Sequence, residues 1–92
     1  RSRPMGALHD VASLPEEKKR FLAGCRWLDD EGIWVCPEKR AIFSFNYIES
    51  HSMEEIRQDL ETMQDFHADW RFLFNDQHPP EFMQAILRKA GN

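Results

Sequence analysis

The chain is poor in cysteine and glycine, carries no surplus of base, and has no long apolar run. Its two cysteines, Cys25 and Cys36, are too few for a disulfide scaffold and lack the paired CxxC spacing of a structural zinc site. Four glycines leave no phosphate-cradling loop and no dinucleotide fingerprint, and neither a G-x-S-x-G elbow nor an H-E-x-x-H helix occurs. A non-enzymatic chain without a cofactor is therefore expected. No stretch approaches the roughly 18 uncharged apolar residues of a membrane span, and the N-terminus has no apolar signal-peptide core. A soluble cytoplasmic protein, free of membrane, is the corresponding expectation. The net charge of −4 argues against a general electrostatic grip on nucleic acid, which rewards surplus Lys and Arg.

Large burial units, by contrast, are abundant. Seven Phe, three Trp and one Tyr in 92 residues supply enough aromatic area for one compact core. Residues 13–92 are expected to form a single α+β domain, preceded by a flexible segment over 1–12. Met5 follows Arg1-Ser2-Arg3-Pro4, and the native start is expected there, with the first four residues left from a tag.

Ser13-Leu14-Pro15-Glu16 reads as a capping box with proline in the first turn, predicting a short helix from about Pro15 to Ala23 that Gly24 stops. Two turn clusters, Asp29-Asp30-Glu31-Gly32 and Pro37-Glu38-Lys39-Arg40, then separate three apolar runs, the pattern of a three-stranded antiparallel meander. Centring the first turn between Asp30 and Glu31 sets Leu28 against Ile33, Trp27 against Trp34, Arg26 against Val35 and Cys25 against Cys36. Centring the second between Glu38 and Lys39 sets Trp34 against Phe43, Val35 against Ile42 and Cys36 against Ala41. Alternation then places Cys25, Trp27, Trp34, Cys36, Ala41, Phe43, Phe45 and Tyr47 on one face, and Leu28, Ile33, Val35, Ile42 and Ile48 on the other.

The aromatic face needs a cover. Ser52-Met53-Glu54-Glu55 is a second capping box, and Met53, Ile56, Leu60, Met63, Phe66, Trp70 and Leu73 recur behind it at helical spacing. These residues predict one long amphipathic helix over 53–73, packed on the aromatic face. His78-Pro79-Pro80-Glu81 breaks and restarts the chain, and Phe82, Met83, Ile86 and Leu87 mark a terminal amphipathic helix. The expected order is thus helix, three strands, two helices.

Around that long helix, Glu54, Glu61, Asp65, Asp69 and Asp76 cluster opposite the apolar stripe, with Glu55 and Asp59 at its margins. Seven carboxylates over residues 52–76 face only Arg57 and Arg71, so the negative charge is concentrated in one element. Such a ridge mildly opposes its own helix, at roughly 0.2–0.5 kcal/mol per like-charged pair, and a basic partner relieves it. The leading functional expectation is a small regulatory or inhibitor-type adaptor that docks on a basic protein through Glu54, Glu61, Asp65, Asp69 and Asp76, with Phe72 as an aromatic anchor. An ordinary solvated helix face is the competing explanation of the same charges.

Other functions rest on less. Cys25 and Cys36 are either a cross-strand disulfide, a thiol pair or two small buried side chains. A metal would require them to converge with His51, His67 or His78, and none of these has diagnostic spacing, so no metal is expected. The aromatic sheet face would suit stacking on single-stranded nucleic acid, but Lys39, Arg40, Arg88 and Lys89 are too sparse for a phosphate track. Homo-oligomerisation through the apolar helices is a further alternative.

Overall fold

A computed structural model describes residues 9–62 and 70–91. Four helices and four strands follow in the order α1 (Glu16–Phe21), β1 (Arg26–Leu28), β2 (Ile33–Cys36), β3 (Ala41–Ser44), α2 (Phe45–Ser50), α3 (Met53–Thr62), β4 (Arg71–Leu73) and α4 (Pro80–Lys89) among the described residues. The fold is α+β, and the strands form a single sheet in the order β1-β2-β3-β4.

The antiparallel register follows the expected pairs. Leu28 lies opposite Ile33, Trp27 opposite Trp34 and Arg26 opposite Val35, while Trp34, Val35 and Cys36 face Phe43, Ile42 and Ala41. Cys25 and Cys36 continue this register as a disulfide, with Cα atoms 4.5 Å apart, the separation of a pair that shares no ladder hydrogen bonds. Two residues on, Trp27 and Trp34 occupy the equivalent close position, and their ring centroids lie 4.5 Å apart. The first turn closes through Gly32, whose φ of +68 suits a residue without Cβ. A Cβ there would also sit 2.6 Å from His9 Nε2, so the glycine admits the histidine ring.

The expected three-stranded antiparallel meander is corrected in two places. The run after Phe43 does not continue as a strand: Ser44 caps a helix by accepting a hydrogen bond from the Tyr47 backbone N–H at 3.1 Å, and Phe45–Ser50 is α2. Helical spacing therefore brings Ile48 to the same side as Phe45 and Tyr47, where alternation had placed it opposite. The predicted helix over 53–73 is also too long. Arg71–Leu73 forms β4, which pairs in parallel with β3, setting Ile42 beside Phe72 and Phe43 beside Leu73. The sheet is consequently four-stranded and mixed.

Two cores result. One face of the sheet buries Trp34, Cys36, Ala41, Phe43 and Leu73 under α1, α2 and α3; Leu22 at the carboxyl end of α1, Phe45, Tyr47 and Ile48 of α2, and Met53 and Ile56 of α3 complete it. The other buries Ile33, Val35, Ile42 and Trp70 under Ile86 and Leu87 of α4. The expected cover of the aromatic face is thus present, shared among three helices rather than given by one.

Local signals explain the helix ends. Ser52 and Glu55 form the reciprocal capping box: the Glu55 N–H donates to Ser52 Oγ at 3.1 Å and the Ser52 N–H to Glu55 Oε1 at 2.9 Å. The box expected at Ser13 is absent. Ser13 closes a 3-10 turn, Val11–Ser13, by donating to the Asp10 carbonyl, and Pro15 stands at the N-cap of α1 without a side-chain hydrogen bond. α1 is accordingly shorter than the span from Pro15 to Ala23. Its Lys18 is buried, and the ammonium donates to the carbonyls of Ile48 at 2.6 Å and Glu49 at 3.4 Å. A positive charge is thereby set at the carbonyl end of α2, where the helix dipole favours it. α4 begins at Pro80; of its expected stripe, Phe82, Ile86 and Leu87 pack in the second core, and Met83 is half-buried.

Candidate functional site

α3 owes its orientation to Met53, Ile56 and Leu60, which turn into the aromatic core and leave the polar face outward. That face carries Glu54, Glu55, Asp59 and Glu61 against the one basic residue of the helix, Arg57. Arg57 reaches back to α1 and pairs with Glu17 at 3.4 Å, both side chains remaining more than half exposed. Such a pair contributes at most about 1 kcal/mol, but it ties up the only cation of α3 at the edge of the acidic face.

The four carboxylates divide by role. Glu55 is spent on the capping box. Asp59 accepts a 2.5 Å hydrogen bond from the Tyr47 hydroxyl, a contact with no sequence signal, since Tyr47 was expected on a strand. Glu54 and Glu61 are exposed and make no ion pair or side-chain hydrogen bond among the described residues. Seven residues apart, they lie on one side of α3 about 10 Å from each other along its axis.

The Tyr47 phenol is raised above its ordinary value of 10.0, first by burial and then by its hydrogen bond to Asp59 and the charges of Asp59 and Glu55. Its contribution to stability is therefore complete below pH 10.0. Above that pH the unfolded chain releases the phenolic proton before the folded one does, and the contribution is lost as pH rises. Urea midpoints measured from neutral pH to about pH 11 are expected to fall more steeply for the wild type than for Tyr47→Phe, which has no proton to release.

The remaining residues of the expected acidic ridge do not share this helix. Asp65 and Asp69 lie outside the described residues. Phe72 is corrected from a helical anchor to a β4 residue, half-buried beside Ile42 and packed on the second core. Asp76 is exposed in the loop between β4 and α4. A helical wheel sets it beside Glu54 and Glu61 only if the helix runs through Arg71–Leu73, which form a strand.

The other candidate chemistries meet different surroundings. Cys25 and Cys36 are bonded to each other and so are not available as ligands, and among the described residues no three His, Cys, Asp or Glu side chains are placed to hold a metal ion. His51 stacks on Tyr47 at 4.1 Å, and its Nδ1 lies 3.0 Å from both the Tyr47 carbonyl and Ser50 Oγ. Of the rings a base would need, Trp34 and Phe43 are buried beneath the helices and Phe45 within α2, while Trp27 is half-buried at the β1 edge. No helix of the described residues is long and apolar enough to cross a membrane. No family model matches the chain, and no curated protein or solved structure is significantly similar to it.

Proposed function

We propose that this domain is a small protein-binding regulator or inhibitor-type adaptor that docks on a basic partner through the outward face of α3. The observation supporting this reading is the separation of roles on that helix. Glu55 and Asp59 are committed to the fold, Arg57 is drawn toward α1, and Glu54 and Glu61 remain exposed with unpaired negative charge. Carboxylates in this state keep their hydration until a cationic surface replaces it, and they accelerate encounter with a basic protein in a salt-sensitive way. Asp65 and Asp69 join the proposal by sequence alone.

The disulfide bears on where such an adaptor works. Cross-strand bridges persist where thiols are oxidised and are kept reduced in the cytosol. An oxidising compartment suits this fold better than the cytoplasm expected from the lack of a membrane span and signal-peptide core in the sequence.

The deciding experiment is affinity capture at low and high salt with the wild type and the Glu54→Lys/Glu61→Lys variant. Both positions are exposed, so the variant is expected to keep the wild-type circular dichroism spectrum. A basic protein held by the wild type, released by salt and bound at least about tenfold more weakly by the variant supports docking through α3. Equal affinity of the two proteins for that partner refutes it.

A further inference from the structure

The topology creates a crevice that the acidic face does not use. β3 and β4 are adjacent and parallel, and the segments that leave their carboxyl ends depart in opposite directions. α2 follows β3 onto the aromatic face, whereas α4 follows β4 onto the other. Adjacent parallel strands whose connections part in this way leave an opening beyond their carboxyl ends, the place where open sheets bind small ligands. A cleft of about 170 Å³ lies there, lined by Ser44 and Asn46 from the β3 end and by Asn75, Asp76 and His78 from the β4 end.

Its walls are built by contacts already required by the fold. His9 enters over Gly32 and sits edge-on to Phe45 at 5.4 Å and Trp27 at 5.8 Å. His78 is stacked on Phe82 at 4.5 Å and edge-on to Phe74 at 5.1 Å. Ser50 donates to Asn75 Oδ1 at 3.3 Å, which orients that amide and leaves its NH₂ to donate elsewhere. Ser44 Oγ accepts from the Tyr47 N–H and keeps its own proton for donation.

The lining selects a ligand by charge and by hydrogen-bonding type. Among the described residues no Lys or Arg lines the cleft, so an anion finds no counter-charge among them. Glu31 also lines the cleft but is paired with Lys89, so among the described residues Asp76 is the carboxylate left unpaired beside amide, hydroxyl and imidazole groups. That set both donates and accepts at short range, as vicinal hydroxyls do, while Phe74 and Phe82 supply an apolar wall for C–H groups. The volume is below that of a pocket for a drug-sized molecule. We infer that this switch-point cleft binds a neutral polyhydroxylated ring, one monosaccharide unit in size, with Asn46, Asn75, Asp76 and His78 contacting its hydroxyls.

The test is a titration of the intact chain by nitrogen–proton correlation spectroscopy with D-glucose, D-galactose, D-mannose and N-acetyl-D-glucosamine, and separately with inorganic phosphate and ethylammonium. At least one sugar is expected to give saturable shifts confined to the amides of the cleft. Asn46→Ala and Asp76→Ala, both at exposed positions, are each expected to weaken that binding about tenfold while the remaining resonances stay in place. The inference is overturned if no sugar gives a saturable shift, if the shifts map elsewhere, if both variants titrate as the wild type, or if phosphate or ethylammonium occupies the cleft in place of the sugars.

Discussion

Phe43→Ala is expected to lower the unfolding free energy by about 3–5 kcal/mol, the range for removing a buried aromatic ring from a core that cannot collapse around the space. Phe43 has no exposed surface. It sits on β3 between Trp34 of β2 and Leu73 of β4, and its ring meets Phe21 edge-on at 5.6 Å and stacks on Tyr47 at 6.5 Å. Strand and helix neighbours thus hold the site open from every side. Small domains are stable by roughly 5–15 kcal/mol in total, so a loss of this size removes a large part of the margin. Urea unfolding followed by tryptophan fluorescence measures it. Ile42→Val, on the opposite face of the same strand and equally buried, is expected to cost only about 0.5–1.5 kcal/mol. A Phe43→Ala variant no less stable than Ile42→Val would contradict the packing described.

Reduction of Cys25–Cys36 is expected to have the next largest effect. The bridge spans a sequence separation of 11, and closing a loop of that length in the unfolded chain is worth about 3 kcal/mol of configurational entropy. At roughly 4–8 °C per kcal/mol for a domain of this size, the Tm is expected to fall by roughly 12–24 °C in reducing agent. The loss concentrates at β1, an edge strand of three residues, Arg26–Leu28, whose remaining hold on β2 is a short ladder and the contact of Trp27 with Trp34. Calorimetry with and without a reducing agent checks this, and Cys25→Ala/Cys36→Ala separates the bridge from other effects of the reagent. A melting temperature unmoved by either treatment would show that the bridge adds nothing to the fold.

What could be read from the residues is where independent local signals agree. The β1–β2–β3 register followed from turn residues at two places, and both placements put like side chains face to face. The Ser52 box succeeded because a polar cap and an apolar stripe coincided. The failures have one physical origin. Four or five apolar residues satisfy a strand and a helix equally well, and periodicity alone does not separate them. Phe45, Tyr47 and Ile48 alternate as a strand does, and only the Ser44 cap turns them into a helix. Trp70 and Leu73 continue the helical spacing of Met53, Ile56 and Leu60, although Leu73 belongs to β4. That second error carried into the site. Glu54 and Glu61 stayed together because a real helix joins them, whereas Phe72 and Asp76 belonged to the ridge only through the extended wheel. The cleft was not legible, since its residues come from segments far apart in the chain and meet only through the parallel pairing.

That pairing also divides the molecule by the distance along the chain over which each part is assembled. The contacts of β1, β2 and β3 join residues within one or two turns of chain, whereas Ile42 and Phe72 are thirty positions apart, and bringing them together costs closure entropy before any contact rewards it. The meander is thus able to form from its own neighbourhood, and β4 adds to a surface already made. Because Phe72 of β4 and Ile86 and Leu87 of α4 both pack in the second core, that core closes only when the late strand arrives. Amide protons on β2 and β3 should therefore exchange through a rarer opening than those on β4, and the carboxyl half of the domain is the part that a passing fluctuation releases first.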